Sequence, residues 1–230
     1  MKLLAIETAT EACSVALWDD GVVHERFEVA PRRHTELVLP WANALLAEAG
    51  VAKSQLDAIA VGRGPGAFTG VRLAIAIVQG IALALDRPVV PISTLATLAL
   101  RASGPRVLAA IDARMGEVYL GAFERDADAL LTPCGDEALL RPGEAQRLPG
   151  TDWIGVGTGF AAQDRALLRA LDPCLARVDG EALPHAADLV RLAARAFAQG
   201  LAVAPELVEP AYLRDKVALT LAEQRVAAGR

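Results

Sequence analysis

Hydrophobic and polar positions in the first half of the chain form short segments that predict strands and helices in a mixed order. Three apolar segments come first and predict strands: KLLAIE, CSVALW and VVHERFEV. The links TATE and DDG are short enough for a β-meander, and DDG is a hairpin turn signal. Helices and strands then alternate: HTELVLPWANALLAEAG, LDAIAVG, FTGVRLAIAIVQGIALALD, RPVVPIS and TLATLALRA. The predicted order is βββαβαβα.

The second half starts near Gly104-Pro105 and opens with two further strand patterns, RVLAAIDA and EVYLGAFER. Residues 126–150 combine Pro, Gly and charged residues without a clear period, so we expect loops with short elements there. One strand and two helices are predicted to follow: DWIGVG, GFAAQDRALLRAL and AADLVRLAARAFAQG. The tail PAYLRDKVALTLAEQR begins irregularly and is expected to end as a helix.

The two halves share one plan, although chance could produce so short an echo. In LLAIETATEACSVALW and VLAAIDARMGEVYLGAF an apolar strand ends in an acid, Glu7 or Asp112, and a polar link leads to a second strand. This plan predicts a duplicated α/β fold with a first lobe at 1–104 and a second at 105–230. The lobe to which the C-terminal segment belongs is left open, because the segment could pack back on the first lobe. Ligands of such folds bind between the halves, beyond the strand ends.

Composition narrows the class of protein. The 230 residues are 53% hydrophobic, which supports a sizeable core. The formal net charge is −5 and aromatic residues make up 4%, which argues against nucleic-acid binding by this chain alone. The three cysteines are scattered and form no C-x-x-C pair, as expected in a reducing cytosol.

Export and membrane segments are not predicted. The N-terminal apolar run meets an acid at Glu7, which makes it too short for a signal peptide. The longest apolar stretch, Leu73–Leu85, spans 13 residues, whereas a membrane span needs about 20. We therefore expect a soluble cytoplasmic protein.

The segment GRGPGAFTG carries four glycines between a strand and a helix, an arrangement that often cradles phosphate. It is not a Walker A loop, because its only cation, Arg63, lies outside the position of the motif's lysine. Dinucleotide binding is not predicted either, since Asp86 precedes the next strand instead of ending it. Two interpretations stay open. Gly64, Gly66 and Thr69 shape an anion site at the helix N-terminus, or they make a tight turn without a ligand.

The helix after this loop carries small residues four apart, at Gly70 and Ala74 and again at Ala76, Gly80 and Ala84. Stripes of small side chains let two backbones approach closely, a packing best described for membrane helices. Burial against the sheet of the same chain and a subunit interface are both compatible with this pattern.

Few residues offer chemistry. Glu7 and Asp112 could hold a metal–nucleotide complex or act as a base, or they could only bind neighbouring loop amides. His34 begins a helix, but position 38 is Val38, so the second ligand of a helical zinc pair is missing and no metal site is predicted. The motif G-x-S-x-G is absent, and no catalytic residue is assigned.

Six segments occur in the order found in one bacterial family: LLAIETATEACSVAL, RRHTELVLP, VGRGPGAFTGVRLA, AIDARMGEVYLGAF, GVGTGF and PAYLRDKVA. The sequence resembles TsaB, a family of tRNA threonylcarbamoyladenosine biosynthesis proteins, over nearly the whole chain. The resemblance implies the duplicated ribonuclease-H-like two-lobe α/β fold of the actin, Hsp70 and sugar kinase group. It also implies a non-catalytic partner of the paralogue TsaD, which transfers a threonylcarbamoyl group from threonylcarbamoyl-adenylate to adenosine next to the tRNA anticodon.

The same resemblance implies partners and sites. The expected protein partners are TsaD, a second copy of the chain and the small ATPase TsaE, while tRNA is reached only through the complex. No cofactor is expected to bind tightly, although ATP or ADP can bind within the complex. The expected interface residues lie on two helices: His34, Leu37, Trp41, Gly70, Ala74, Ile77, Gly80 and Ala84. The candidate nucleotide-binding residues are Glu7, Thr8, Gly64, Gly66, Thr69 and Asp112.

The sequence departs from catalytic relatives at two places. TsaD-type proteins carry an H-x-x-x-H metal pair where this chain has His34 and Val38. Kinases of the fold carry Asp-x-Gly where this chain reads Glu7-Thr8-Ala9. Both changes argue against independent catalysis. The alternative function is an ATP-dependent kinase or ATPase that acts in its own inter-lobe cleft. A protease is a third alternative, for which the sequence shows no recognisable nucleophile and base.

Overall fold

Two β-sheets with helices packed on them form the part of the chain that the computed structural model describes, residues 1–214. The helical end expected for the tail lies outside these residues. The first half contains β1 (Lys2–Glu7), β2 (Ala12–Asp19), β3 (Val22–Val29), α1 (His34–Glu48), β4 (Ala58–Gly62), α2 (Phe68–Leu85), β5 (Val89–Ile92) and α3 (Thr94–Ala99). The second half contains β6 (Arg106–Arg114), β7 (Glu117–Arg125), β8 (Leu131–Pro133), β9 (Ala138–Leu140), β10 (Trp153–Val156), α4 (Ala162–Leu171), β11 (Leu175–Asp179) and α5 (Ala186–Ala198).

The first sheet has the strand order β3-β2-β1-β4-β5. Its first three strands pair antiparallel, which confirms the predicted meander. The turn between β2 and β3 places Asp20 and Gly21 at positive φ, 49° and 102°, as a two-residue hairpin turn requires. β4 and β5 join in parallel, because α1 and α2 provide the crossover connections.

The second sheet has the order β11-β10-β6-β7-β8, and β9 also pairs with β7. β6 and β7 form an antiparallel hairpin, and β10 joins β6 in parallel. β6 thus has the same neighbours in the second sheet as β1 has in the first: the next strand antiparallel on one side and a later strand parallel on the other. Three short strands, β8, β9 and β11, are not predicted individually from the sequence. Two of them lie in the region 126–150, and β11 is a largely exposed edge strand with a weak apolar signal.

Two helices cover one face of the first sheet. α1 contributes Val38, Ala42 and Leu45 to the buried cluster, at helical spacing, and α2 contributes Ala74 and Val78. The central strands β1 and β4 are buried along nearly their whole length. Strands covered on both faces read as continuous apolar runs, which explains why their sequences show no alternation.

Each lobe takes a helix from the other half of the chain. α3 precedes the second sheet in sequence but packs on it, with Leu95 and Leu98 in a cluster with Val107. α5 follows the second sheet but packs on the free face of the first, through Leu189 and Ala193. The packed lobes therefore depart from a single boundary after residue 104. The sequence left the placement of the C-terminal segment open.

α2 is longer than the 13-residue apolar stretch counted in the sequence. It has 18 residues with a mean hydropathy of 1.9, so its length and composition alone would suit a membrane span. The core helix of a folded domain can have the same length and composition. Here Val71, Ala74 and Val78 are buried on the first sheet, while Leu83 is 63% exposed. The helix thus has one face in the core and an apolar face on the surface.

The small residues of α2 divide between these two faces. A Cβ atom at Gly70 would overlap the carbonyl oxygen of Thr8, whereas one at Gly80 would meet no atom within 4 Å. Ala74, four residues farther along the same stripe as Gly70, is fully buried. The stripe from Ala76 to Ala84 lines a surface groove instead. Burial against the same chain thus applies to the first stripe, and the subunit interface stays a prediction for the second.

We expect alanine to have opposite effects at the two glycines. Gly70→Ala should lower the free energy of unfolding by about 1–3 kcal/mol, because the methyl group forces α2 away from Thr8. Gly80→Ala should raise it by up to about 1 kcal/mol, since alanine is the better helix former and the site is open. Urea denaturation at one fixed, low protein concentration measures both. Equal effects at the two positions would contradict the assignment of faces.

Candidate functional site

A cleft of about 1100 Å³ separates the two lobes. Its first-lobe wall is the β1–β2 link together with the start of α2, including Thr10 and residues 66–73. Its second-lobe wall includes Asp112, two residues before the end of β6, and Thr158 after β10. The segment 210–214 also lines it. The cleft lies beyond the strand ends, where the duplicated plan predicts a ligand site.

The carboxylate of Glu7 does not line this cleft. One oxygen accepts the Ala9 N–H at 2.7 Å and the other accepts the Thr94 hydroxyl at 3.1 Å. Gly62 lies so close that a Cβ atom there would overlap the carboxylate. Burial raises the pKa of Glu7 to about 7, although the hydrogen bonds from Ala9, Thr94 and Thr8 oppose the shift. These bonds agree with the loop-amide interpretation of Glu7, which links β1, β4 and α3 inside the protein.

The glycine loop is fastened to the β1–β2 link through its backbone. The Ala67 N–H donates to Ala9 O at 2.7 Å, and Thr8 Oγ1 donates to Gly70 O at 2.8 Å. A Cβ atom at Gly66 would overlap the backbone of Ala9. One amide that could hold a phosphate is therefore already bonded within the chain. This bonding favours the tight-turn interpretation of the loop.

The six candidate nucleotide-binding residues divide equally between the cleft wall and the interior. Those in the wall are Gly66, Thr69 and Asp112, and those in the interior are Glu7, Thr8 and Gly64. Asp112 is already engaged, because its carboxylate accepts the Arg114 N–H at 2.9 Å and pairs with the Arg114 guanidinium at 2.8 Å. Within residues 1–214, no three His, Cys, Asp or Glu side chains form a cluster that could hold a metal ion.

A second, mainly apolar groove of about 490 Å³ lies between α1 and α2 on the first lobe. Three candidate interface residues of α2 line it: Ile77, Gly80 and Ala84. α1 contributes Leu39 and Asn43, which are not predicted from the sequence. Their four-residue spacing on the outer side of α1 is the signal that could have identified them.

The other candidate interface residues lie outside this groove: His34, Leu37, Trp41, Gly70 and Ala74. Gly70 packs on the link after β1 beside the inter-lobe cleft, and Ala74 faces the first sheet. Leu37 and Trp41 are partly buried and pack against the core under α1. His34 lies beside the inter-lobe cleft, where its Nε2 is 3.1 Å from Thr10 O. The structure thus brings together only part of the expected interface.

A partly buried cluster joins a serine, a glutamate and a histidine, but not in the order of a hydrolase triad. Ser14 Oγ donates to Glu25 Oε1 at 2.8 Å, and His185 Nδ1 lies 3.0 Å from Glu25 Oε2. The carboxylate stands between the other two groups, so the histidine is not placed to take the serine proton. Ser14 is fully buried and accepts the Ala186 N–H at 2.9 Å. The cluster fastens the start of α5 to β2 and β3.

The family model and the relatives to which this chain is similar are all named for the same tRNA modification. The family model TsaD, described as tRNA N6-adenosine threonylcarbamoyltransferase, matches residues 18–221. The tRNA threonylcarbamoyladenosine biosynthesis protein TsaB of Escherichia coli is 46% identical over 227 residues, 95% of this chain and 96% of the relative. The protein of the same name from Haemophilus influenzae is 38% identical over 94% of this chain and 95% of the relative.

A solved structure described as YeaZ from Pseudomonas aeruginosa shows the same fold. It is 47% identical and superimposes with a TM-score of 0.86, covering 92% of this chain and 99% of that chain. With the family match, this likeness confirms the predicted fold class. The chain has the duplicated ribonuclease-H-like fold of the actin, Hsp70 and sugar kinase group.

Burial of Glu7 makes stability depend on pH. Its pKa rises from an ordinary value of 4.5 to about 7 on folding, so the folded state keeps a proton that the unfolded chain releases. The contribution of this retained proton to the free energy of unfolding is complete below about pH 4.5 and is lost as the pH rises through 7. Glu7→Gln removes this titration. The unfolding free energy of the variant minus that of the wild type should therefore rise by roughly 3 kcal/mol from pH 4 to pH 8. This figure corresponds to about 1.4 kcal/mol for each pKa unit of the shift.

Urea denaturation of both proteins at pH 4 and pH 8 measures this change. A difference between Glu7→Gln and wild type that is the same at both pH values would contradict the titration of a buried carboxyl group.

Proposed function

The chain belongs to the TsaB family of tRNA threonylcarbamoyladenosine biosynthesis proteins, and from this premise we propose that it is a non-catalytic partner subunit of a TsaD transferase. Its place in this biosynthesis follows from family membership, and its role there is the proposal. By binding TsaD, it supports transfer of the threonylcarbamoyl group to adenosine next to the anticodon. It does not itself touch the reacting groups.

The groove between α1 and α2 is the observation that carries this proposal. Small side chains at Gly80 and Ala84 lie beside the larger Leu39 and Ile77. Leu39 is 46% exposed and Leu83, farther round α2, is 63% exposed. A partner helix can approach the backbone of α2 at the small residues and bury the larger ones around them. An exposed apolar surface of this kind is typical of a protein-binding site.

The inter-lobe cleft supports the non-catalytic part of the proposal. Glu7, the acid that ends β1, is buried away from the cleft, and Asp112, the acid near the end of β6, is paired with Arg114. The position of a second helical histidine is taken by Val38, which is fully buried. A kinase or a metal-dependent reaction in this fold would depend on groups at these places. We therefore assign no catalytic residue and no tightly bound cofactor to this chain.

One groove can serve two partners. In this proposal a second copy of the chain and TsaD compete for the same surface, so the homodimer forms when TsaD is absent. TsaE joins the assembled complex, where ATP or ADP binds. The net charge of −5 disfavours direct binding of tRNA, so tRNA is bound through the complex. The assembly acts in the cytoplasm.

Gly80→Leu tests the groove. Its side chain would enter the space between α1 and α2 and hold a partner helix away from the small residues. We expect the affinity for purified TsaD, and for a second copy, to fall by about tenfold or more, a loss of at least about 1.4 kcal/mol. Titration calorimetry and analytical ultracentrifugation measure the two affinities.

Gly143→Leu is the matched control for this substitution. A Cβ atom at Gly143 also meets no atom within 4 Å, but this residue lies in the second half of the chain, outside the groove. It should bind both partners like the wild type. Equal binding by Gly80→Leu and Gly143→Leu would contradict the proposed interface.

A reconstituted modification reaction connects binding with function. Unmodified tRNA, threonine, bicarbonate, ATP and the other pathway proteins are combined with and without this chain, and the modified adenosine is quantified by mass spectrometry. Omission should abolish the product, Gly80→Leu should lower it strongly, and Asp112→Asn should leave it nearly unchanged. Full product without the chain would refute the role. Loss of product with Asp112→Asn in a complex that still assembles would favour the kinase or ATPase alternative.

A further inference from the structure

The chain after α5 passes from the first lobe to the second at the inter-lobe cleft. It is first held on the first lobe, where Val203 pairs antiparallel with Val89, the first residue of β5. The Ala211 N–H then donates to Arg63 O at 2.8 Å, just beyond the end of β4. From there the segment 210–214 lines the cleft that separates the lobes.

Tyr212 holds the middle of this segment against the start of α2. Arg72 Nη2 donates to the Tyr212 hydroxyl at 2.7 Å, and the guanidinium carbon lies 5.1 Å from the centre of the Tyr212 ring. The same guanidinium stacks on the ring of Phe68, 3.3 Å from its centre. Stacking of this kind orients a planar guanidinium group. The segment is therefore fixed on the first lobe by both backbone and side-chain contacts.

Arg214 makes the contact with the second lobe. Its Nη2 lies 2.8 Å from Glu117 Oε2 and 3.0 Å from Ala113 O, and its Nη1 lies 3.0 Å from Met115 Sδ. All three partners belong to the β6–β7 hairpin. The Arg214 side chain is only 16% exposed. Solvent therefore screens this ion pair less than it screens a pair at the surface.

Other contacts between the lobes lie along α3, which packs on the second sheet. Its first residue, Thr94, bonds with Glu7 and with Gly64 O of the first lobe, and its later part meets α5, packed on the first sheet. There Arg101 pairs with Asp188 at 3.0 Å, and Arg195 donates to Leu131 O at 3.1 Å. Contacts of this kind act as a hinge if the cleft is free to open. The segment 210–214 lines the cleft, to which α3 and α5 contribute no residue, and ties its two walls together.

From these contacts we propose that Pro210–Arg214 form a strap that fixes the separation of the two lobes across the cleft, with Arg214 as its latch on the β6–β7 hairpin. In many two-lobe proteins a bound ligand holds the lobes together. Here a segment of the chain itself bridges them. Release of Arg214 lets the second lobe move about the α3–α5 contacts and widens the cleft.

The separation of the lobes can be measured by double electron–electron resonance. Spin labels at Thr35→Cys and Ala161→Cys would stand on opposite walls of the cleft, and Cys134→Ser removes the exposed native thiol. With an intact strap we expect one narrow distance distribution. Arg214→Ala should broaden this distribution and shift it to longer distances. Glu117→Gln, which leaves the strap's own sequence unchanged, should shift it in the same direction.

Arg114→Ala is the matched control, because Arg114 lies on the same hairpin but pairs with Asp112 of that hairpin. It should leave the distance distribution unchanged. Circular dichroism melting establishes that each labelled variant is folded. An unchanged distribution in Arg214→Ala and Glu117→Gln, or a broad distribution with the strap intact, would overturn the proposal.

Discussion

The contact between the start of α2 and the link after β1 is the constraint on which two surfaces of the first lobe depend: its wall of the inter-lobe cleft and the groove between α1 and α2. Glycine at positions 66 and 70 lets the loop and helix backbone touch Thr8 and Ala9 with no side chain between them. A hydrogen bond from the Ala67 N–H closes the contact. α2 is a rigid rod of 18 residues. Once its first turn is seated, the position of the groove along its far half is determined as well.

The same contact limits what the inter-lobe cleft can do. The amide of Ala67 is used to seat α2, so it is not free for an anion. The carboxylate of Glu7 bonds with Ala9 and Thr94 and carries a raised pKa, so it is used to join three elements of the protein. Groups that could serve catalysis or anion binding in this fold are thus already bonded within the protein. A chain whose cleft is committed to structure retains its outer helices as the surface for binding, which is the physical basis of the proposed subunit role.

Sequence patterns predicted features that repeat within a few residues, and failed where a distant contact decides. The hairpins, α1 and α2 follow from local periodicity and turn residues. Gly70 and Gly80 belong to stripes with the same spacing, and only the distant carbonyl of Thr8 distinguishes them. Glu7 and Asp112 hold equivalent places in the two sheets, yet α3 and β4 bury the first, while the second is only partly buried in the cleft wall and bonds to Arg114. Periodicity shows which face of α3 or α5 is buried, but not which sheet covers it.

α2 contacts the first sheet, the groove and the strap. Its inner face lies on the first sheet, its outer face lines the groove, and Arg72 in its second turn holds Tyr212 of the strap. A helix seated by close glycine contacts moves only with the sheet beneath it. Release of the strap therefore displaces the second lobe relative to α2 and leaves the groove in place. Opening of the cleft and binding of a partner at the groove are, on this argument, separate events on one rigid lobe.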